Sequence, residues 1–75
     1  MDWKDRITID PKIRRGKPVI RGTRTPITSV LGGLAGGMSF SELQRAYEIT
    51  EDDIRAAIAF AQELVEQEQY HAMPA

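Results

Sequence analysis

Gly16-Lys17-Pro18-Val19-Ile20-Arg21-Gly22-Thr23-Arg24-Thr25-Pro26 is the stretch where the chain changes its periodicity. Before it, polar and apolar residues alternate; after it, apolar residues return every third or fourth position. Within it, Lys17 and Arg21 flank Pro18-Val19-Ile20. A short extended segment there buries Val19 or Ile20 on one side and sends the cationic stems toward solvent. Gly16 and Gly22 bracket the segment, where a turning chain needs φ above zero or close backbone approach. Pro18 cannot donate to a central ladder, so the strand belongs at an edge. Thr25-Pro26 predicts a helix start, with Thr25 as N-cap and Pro26 at the first helical position. Two readings of the stretch stand side by side: an edge strand with solvated charges, and a basic binding loop.

Upstream, Asp5-Arg6-Ile7-Thr8-Ile9-Asp10 alternates with Ile7 and Ile9 on one face, which predicts a half-buried strand with Trp3 near its start. Asp10-Pro11 opens a turn, and Ile13-Arg14-Arg15-Gly16 leads into the second extended segment. Two strands alone are marginal in water, so this arm has to pack on helices or on another chain.

Downstream, Ile27, Val30, Leu31 and Leu34 fall at helical spacing and predict a first helix over about residues 26–35. Gly32 and Gly33 each weaken it by about 1 kcal/mol relative to Ala, a cost that close approach of another helix would explain. Gly36-Gly37 supplies the terminating glycine. Ser39 with Glu42 is a capping-box pattern, and Phe40, Leu43 and Tyr47 line a second helix to about residue 47. Thr50 with Asp53 repeats the capping logic. A third helix then runs from Glu51 to about Gln69, with the stripe Ile54, Ala57, Ile58, Ala61, Leu64, Val65. Ala56, Ala57, Ala59 and Ala61 keep it slim. Residues 70–75, His71-Ala72-Met73-Pro74-Ala75 included, read as a flexible tail.

The fold class is therefore mainly α: a tri-helical, helix-turn-helix-like core over 26–69, preceded by a short two-stranded β arm over 1–24. Seventy-five residues make one domain, too small to bury much surface, and without cysteine to staple it. Oligomerisation is the expected source of extra buried area. No signal-peptide core and no long apolar run occur, so the expected location is the cytoplasm, with no membrane partner.

The net charge of −1 hides an asymmetry. Residues 1–24 hold Lys4, Arg6, Lys12, Arg14, Arg15, Lys17, Arg21 and Arg24 against Asp2, Asp5 and Asp10. Residues 25–75 hold only Arg45 and Arg55 against eight acids. Such a split suits either a nucleic-acid-binding arm or attraction between the two halves or two subunits. In a helix-turn-helix reading the third helix would enter the major groove by its N-terminal residues. Here those are Glu51, Asp52 and Asp53, which suit the helix dipole and repel phosphates. Arg14, Arg15, Lys17, Arg21 and Arg24 are the better candidates for DNA contacts. No aromatic residue interleaves with these basic residues, which argues against single-strand stacking.

Catalysis lacks its usual side chains. His71 is the sole histidine and falls in the tail, Ser39 and Ser41 have no neighbouring base, and Gly16-Lys17-Pro18 is not a phosphate-binding P-loop. No enzyme activity, cofactor or metal site is expected. The candidate partner-binding residues are Trp3, Leu64, Val65, Glu66, Glu68 and Tyr70: aromatic anchors near the two ends and the acidic stretch after Val65.

The run Ile9-Asp10-Pro11, then Gly16-Lys17-Pro18-Val19-Ile20-Arg21-Gly22-Thr23-Arg24, Gly37-Met38-Ser39 and Thr50-Glu51-Asp52-Asp53-Ile54-Arg55-Ala56-Ala57 resembles the prokaryotic family catalogued as domain of unknown function 433. The resemblance implies a small helix-turn-helix protein with a strand arm that forms dimers. Members are regarded as antitoxins, commonly encoded beside a PIN-like nuclease toxin. By that resemblance the chain would bind and silence such a toxin as a homodimer or higher oligomer, and bind double-stranded operator DNA. Three positions depart from the family pattern. Arg15 stands where a second glycine is frequent, Thr25 where an aliphatic residue is usual, and Glu48 replaces a proline, which favours a longer second helix. The alternative is a protein-interaction module without DNA affinity, its basic arm neutralising the acidic helix of a neighbouring subunit.

Overall fold

The computed structural model describes residues 2–68. After a 3-10 turn at Trp3–Asp5, strand β1 (Ile7–Thr8) pairs antiparallel with β2 (Val19–Ile20), in the register Ile7 opposite Ile20 and Thr8 opposite Val19. Helices α1 (Ile27–Ala35), α2 (Phe40–Tyr47) and α3 (Glu51–Gln67) follow and pack on one another. The chain is a mainly α, helix-turn-helix-like three-helix domain with a two-stranded N-terminal sheet. Helix α3 ends at Gln67 with Glu68 in extended conformation, short of the expected Gln69, and the expected 70–75 tail lies outside the described residues.

The strands are shorter than the alternation suggests. Ile7 is buried, but β1 ends at Thr8 and leaves Ile9 55% exposed, so the two isoleucines do not share a covered face. In β2 both Val19 and Ile20 are buried, not one of the pair. A second partner accounts for this. The chain returns through a turn at Gly22 (φ +80°), and Pro26 bridges antiparallel to Val19. Ile20 N–H donates to Thr25 C=O and Ile27 N–H to Pro18 C=O, both at 3.0 Å.

That pairing also moves the start of α1. Thr25 is not the N-cap; Pro26, with extended φ and ψ, holds that position without a side-chain cap. A residue before proline is biased to extended backbone, and the hydrogen bond from Ile20 holds Thr25 there. At its other end α1 closes with a Schellman motif: Gly37 (φ +97°) donates to Leu34 C=O and Met38 to Gly33 C=O. Gly33 faces α2 so closely that a Cβ there would lie 2.7 Å from Leu43 Cδ2 and 3.1 Å from Met38 Sδ. Gly32 faces open space. Only one of the paired glycines is there for close approach.

Helix α2 begins with the full capping box of Ser39 and Glu42, whose two bonds measure 3.0 and 3.1 Å. The Ser39 backbone N–H donates to the Glu42 carboxylate, and the Ser39 hydroxyl oxygen accepts from Glu42 N–H. Ser39, through its backbone first and then its side chain, holds the Glu42 pKa below the ordinary 4.5. Glu48 does not lengthen α2. It adopts the left-handed conformation (φ +54°) and ends the helix at Tyr47. Thr50 and Asp53 form the second capping box at the head of α3.

The core gathers Ile7, Ile20, Ile27, Val30, Leu43, Ile49, Ile54, Ala56, Ala57 and Phe60. On α3 this differs from the expected stripe. Ile54 and Ala57 are buried, but Ile58, Leu64 and Val65 are 41%, 47% and 57% exposed, and the helix instead buries Ala56 and Phe60. The cause lies in the arm: Trp3 packs edge-on against Phe60, with ring centroids 4.8 Å apart, and rotates the covered face toward residues 56 and 60.

Candidate functional site: a basic cleft beside the strand arm

The site begins with an unusual piece of backbone. After the Asp10-Pro11 turn, Arg14 (φ +50°), Arg15 (φ +58°) and Gly16 (φ +82°) are consecutively left-handed. Gly16 N–H donates to Ile13 C=O at 3.0 Å and Lys17 N–H to Arg14 C=O at 3.1 Å, closing a tight turn. Glycine adopts such angles at little cost, whereas an arginine in this region costs about 1–2 kcal/mol. The arginine at position 15 therefore stands on backbone that suits glycine. Arg14 Nε ties the turn to the next one by donating to Arg24 C=O at 3.0 Å.

The two turns and the head of α1 enclose a cleft of about 530 Å³, lined by Pro11, Lys12, Arg14, Arg15, Lys17, Arg24, Pro26 and Thr28. No carboxylate lines it. Among the described residues the only arginines in ion pairs are Arg6 and Arg55, so the five cations of the cleft have no carboxylate partner. The first turn of α1, which borders the cleft, carries no acidic residue and no side-chain cap. Ile27 N–H and Ser29 N–H are bonded to Pro18 C=O and Pro26 C=O, so the helix dipole and the Thr28 N–H are what this turn adds to the positive potential.

Four of the five candidate DNA-binding residues, Arg14, Arg15, Lys17 and Arg24, thus line one concavity. Arg21 does not. Its Nη2 donates to Lys4 C=O at 2.9 Å and reaches Ile7 C=O at 3.4 Å, bracing the 3-10 turn against the sheet. Lys12 was missed by the sequence reading. Its N–H donates to Asp10 Oδ1 at 2.9 Å, an Asx-type turn that delivers it to the cleft. Asp10-Pro11 was the available signal.

The acidic head of α3 is engaged by its own chain. Arg6 lies 3.2 Å from Asp53 and 3.5 Å from Asp52, and Arg55 lies 2.9 Å from Glu51. Among the described residues, Arg6 is therefore the one basic residue of the arm that pairs with the acidic half. Arg55, the sole cation of α3, is already paired.

The candidate partner-binding residues separate. Trp3 and Leu64 line a shallow groove of about 200 Å³ with Phe60, Glu63 and Gln67, and the Trp3 indole N–H donates to the Glu63 carboxylate. Val65, Glu66 and Glu68 are exposed near the end of α3, and Tyr70 lies outside the described residues. A second apolar groove, of about 310 Å³, is lined by Phe40, Arg55, Ile58, Ala59 and Gln62, none of which the sequence reading had singled out as a site. No helix among the described residues is long and apolar enough to cross a membrane.

Fold and site together define a small mainly α domain that carries a strained, cationic strand arm. Residues 7–61 match the family described as Protein of unknown function (DUF433), and the chain belongs to that family. It is similar to a DUF433 member protein from Anabaena variabilis, at 29% identity and a TM-score of 0.76, over 85% of this chain and 64% of that one. It is also similar to Rv2018 from Mycobacterium tuberculosis, at 31% identity and a TM-score of 0.68, over 76% of this chain and 27% of that one. The chain therefore spans less than two thirds of either structure. No curated protein matches it.

Proposed function

We propose that this protein is a non-enzymatic regulator of the antitoxin type, which binds nucleic-acid phosphates through the cleft of the strand arm. The observation that carries the reading is the set of five cations, Lys12, Arg14, Arg15, Lys17 and Arg24, lining one cleft without a carboxylate among them. Phosphate contacts of this kind position a protein on a duplex and supply most of its affinity. Helix α3 is the poorer candidate for the groove, since its head carries three carboxylates and its one arginine is paired with Glu51. The resemblance that the sequence carries supplies the partner in this proposal: a PIN-like nuclease toxin, met by the groove at Trp3 and Leu64 and by the acidic end of α3. A homodimer through exposed apolar residues of α3, Ile58 foremost, belongs to the same proposal.

The test is fluorescence anisotropy of labelled duplex DNA from upstream of the gene, titrated at low and at physiological salt. The expected result is affinity that falls steeply with salt and drops at least tenfold in an Arg14→Ala/Arg15→Ala/Lys17→Ala variant. Binding that the variant leaves intact would overturn the assignment to the arm. The interaction-module reading, in which the arm neutralises a neighbour's acidic helix, predicts instead no DNA binding at low salt and an oligomer that high salt dissociates. The pairing of Arg6 with Asp52 and Asp53 inside one chain weakens that reading, because part of the acidic head is already neutralised.

A further inference from the structure

The shape of the cleft carries more than its charge. A duplex presents its phosphodiesters one charge at a time along the backbone, whereas a concavity can also surround a compact polyanion whose charges sit together. Here the five cations line a concavity of about 530 Å³, within the range of small-ligand sites. Its floor and rim are furnished for a compact polyanion. Lys12 and Lys17 make no side-chain hydrogen bond or ion pair among the described residues, and Arg14 uses only Nε, toward Arg24 C=O, leaving its terminal nitrogens unspent. The backbone N–H and the hydroxyl of Thr28, at the head of α1, supply further donors, since the neighbouring Ile27 and Ser29 N–H groups are taken by Pro18 C=O and Pro26 C=O. Pro11 and Pro26 supply apolar walls beside the charges.

We propose that this cleft binds a chain of two or three linked phosphates, the polyphosphate group of a free nucleoside di- or triphosphate or of inorganic triphosphate. It rests on the reading of the cleft as a phosphate site and adds that a small ligand occupies it in competition with nucleic acid. A nucleotide at this position neutralises the cations that a DNA backbone needs, so ligand and duplex exclude one another. The guanidinium groups of Arg14, Arg15 and Arg24 offer forked donors suited to phosphate oxygens, and the lysines act as point charges.

Isothermal titration calorimetry of the full chain at physiological salt tests this. Inorganic triphosphate and ATP, each without divalent metal, form two arms, and sodium sulfate at matched ionic strength is the control. The expected result is saturable one-to-one binding in the triphosphate arms, at least tenfold tighter than sulfate, and at least tenfold weaker in Lys12→Gln/Lys17→Gln. That variant keeps the Arg14–Arg24 tie, and its melting curve reports whether it folds. Tighter binding of ATP than of inorganic triphosphate assigns the proline walls to the nucleoside; equal binding assigns the site to the phosphate chain alone. Heats no larger than those of sulfate, or equal affinity in a folded variant, overturn the proposal. DNA binding that persists unchanged in saturating triphosphate also overturns it, while leaving the nucleic-acid reading intact.

Discussion

Replacing Arg15 with glycine separates the cost of the basic turn from its use. Arg15 sits at φ +58° and ψ +34°, between Arg14 and Gly16, which are also left-handed. An L-residue there costs about 1–2 kcal/mol, and glycine returns about 0.5–1 kcal/mol through the entropy of its unfolded chain. Arg15→Gly is therefore expected to stabilise the fold by about 0.5–1 kcal/mol, with a small further gain from removing one of five like charges. In a chain of 75 residues that raises Tm by about 2–8 °C. The same change removes one cation from the cleft, so the slope of log affinity for DNA against log salt should shrink by about 1. Thermal denaturation by circular dichroism measures the first effect and anisotropy across a salt series the second. Arg15→Ala completes the comparison: it loses the same charge but keeps the side-chain penalty, so it should weaken DNA binding equally without the gain in Tm. A glycine variant that melts below the native protein would refute the strain argument. One that melts higher yet binds DNA with an unchanged salt slope would refute the role of Arg15 in the cleft.

Three further predictions follow from packing and capping. Gly32→Ala should raise stability by about 0.5–1 kcal/mol, because open space receives the methyl group, whereas Gly33→Ala should lower it by about 1 kcal/mol through displacement of buried Leu43; denaturant melts should show opposite signs. Trp3→Ala should cost about 2 kcal/mol, since the half-buried ring packs edge-on against Phe60, and the loss should appear in the same melts. Glu42 has a folded pKa below its ordinary 4.5, through the hydrogen bonds from Ser39, so its contribution is complete above about 4.5 and vanishes as pH falls through the lower folded value. Glu42→Gln keeps the capping geometry and should flatten that part of the acid limb of the stability curve; an unchanged acid limb would show that the carboxylate is not held.

The local chemistry of this sequence is what could be read in advance. Ser39-Glu42 and Thr50-Asp53 fix the starts of α2 and α3 because the bonds involved lie within four residues. Gly16, Gly22 and Gly37 mark positive φ for the same reason. The readings that failed depend on partners distant in sequence. Thr25 resembles an N-cap until β2 claims it as a hydrogen-bond acceptor, and Ile58 fits the helical stripe until Trp3 selects Phe60 for the core. The charge asymmetry was legible, but not its division of labour. Arg6 goes to Asp52 and Asp53, Arg21 braces the carbonyls of Lys4 and Ile7, and Lys12 joins the cleft in Arg21's place. Nothing within a few residues of Arg14 and Arg15 announces two successive left-handed arginines; their turn is held by the bond to Arg24 ten residues away.

The account rests on the arm, not the third helix, being the surface that meets phosphate. Nitrogen-15 heteronuclear NMR of the free chain, titrated with duplex DNA from upstream of the gene, tests that claim most directly. The account predicts shift changes concentrated at Lys12, Arg14, Arg15, Lys17, Arg24 and Thr28, reversed by added salt. Changes concentrated at Glu51, Asp52, Asp53 and Arg55, with the arm unmoved, would contradict it.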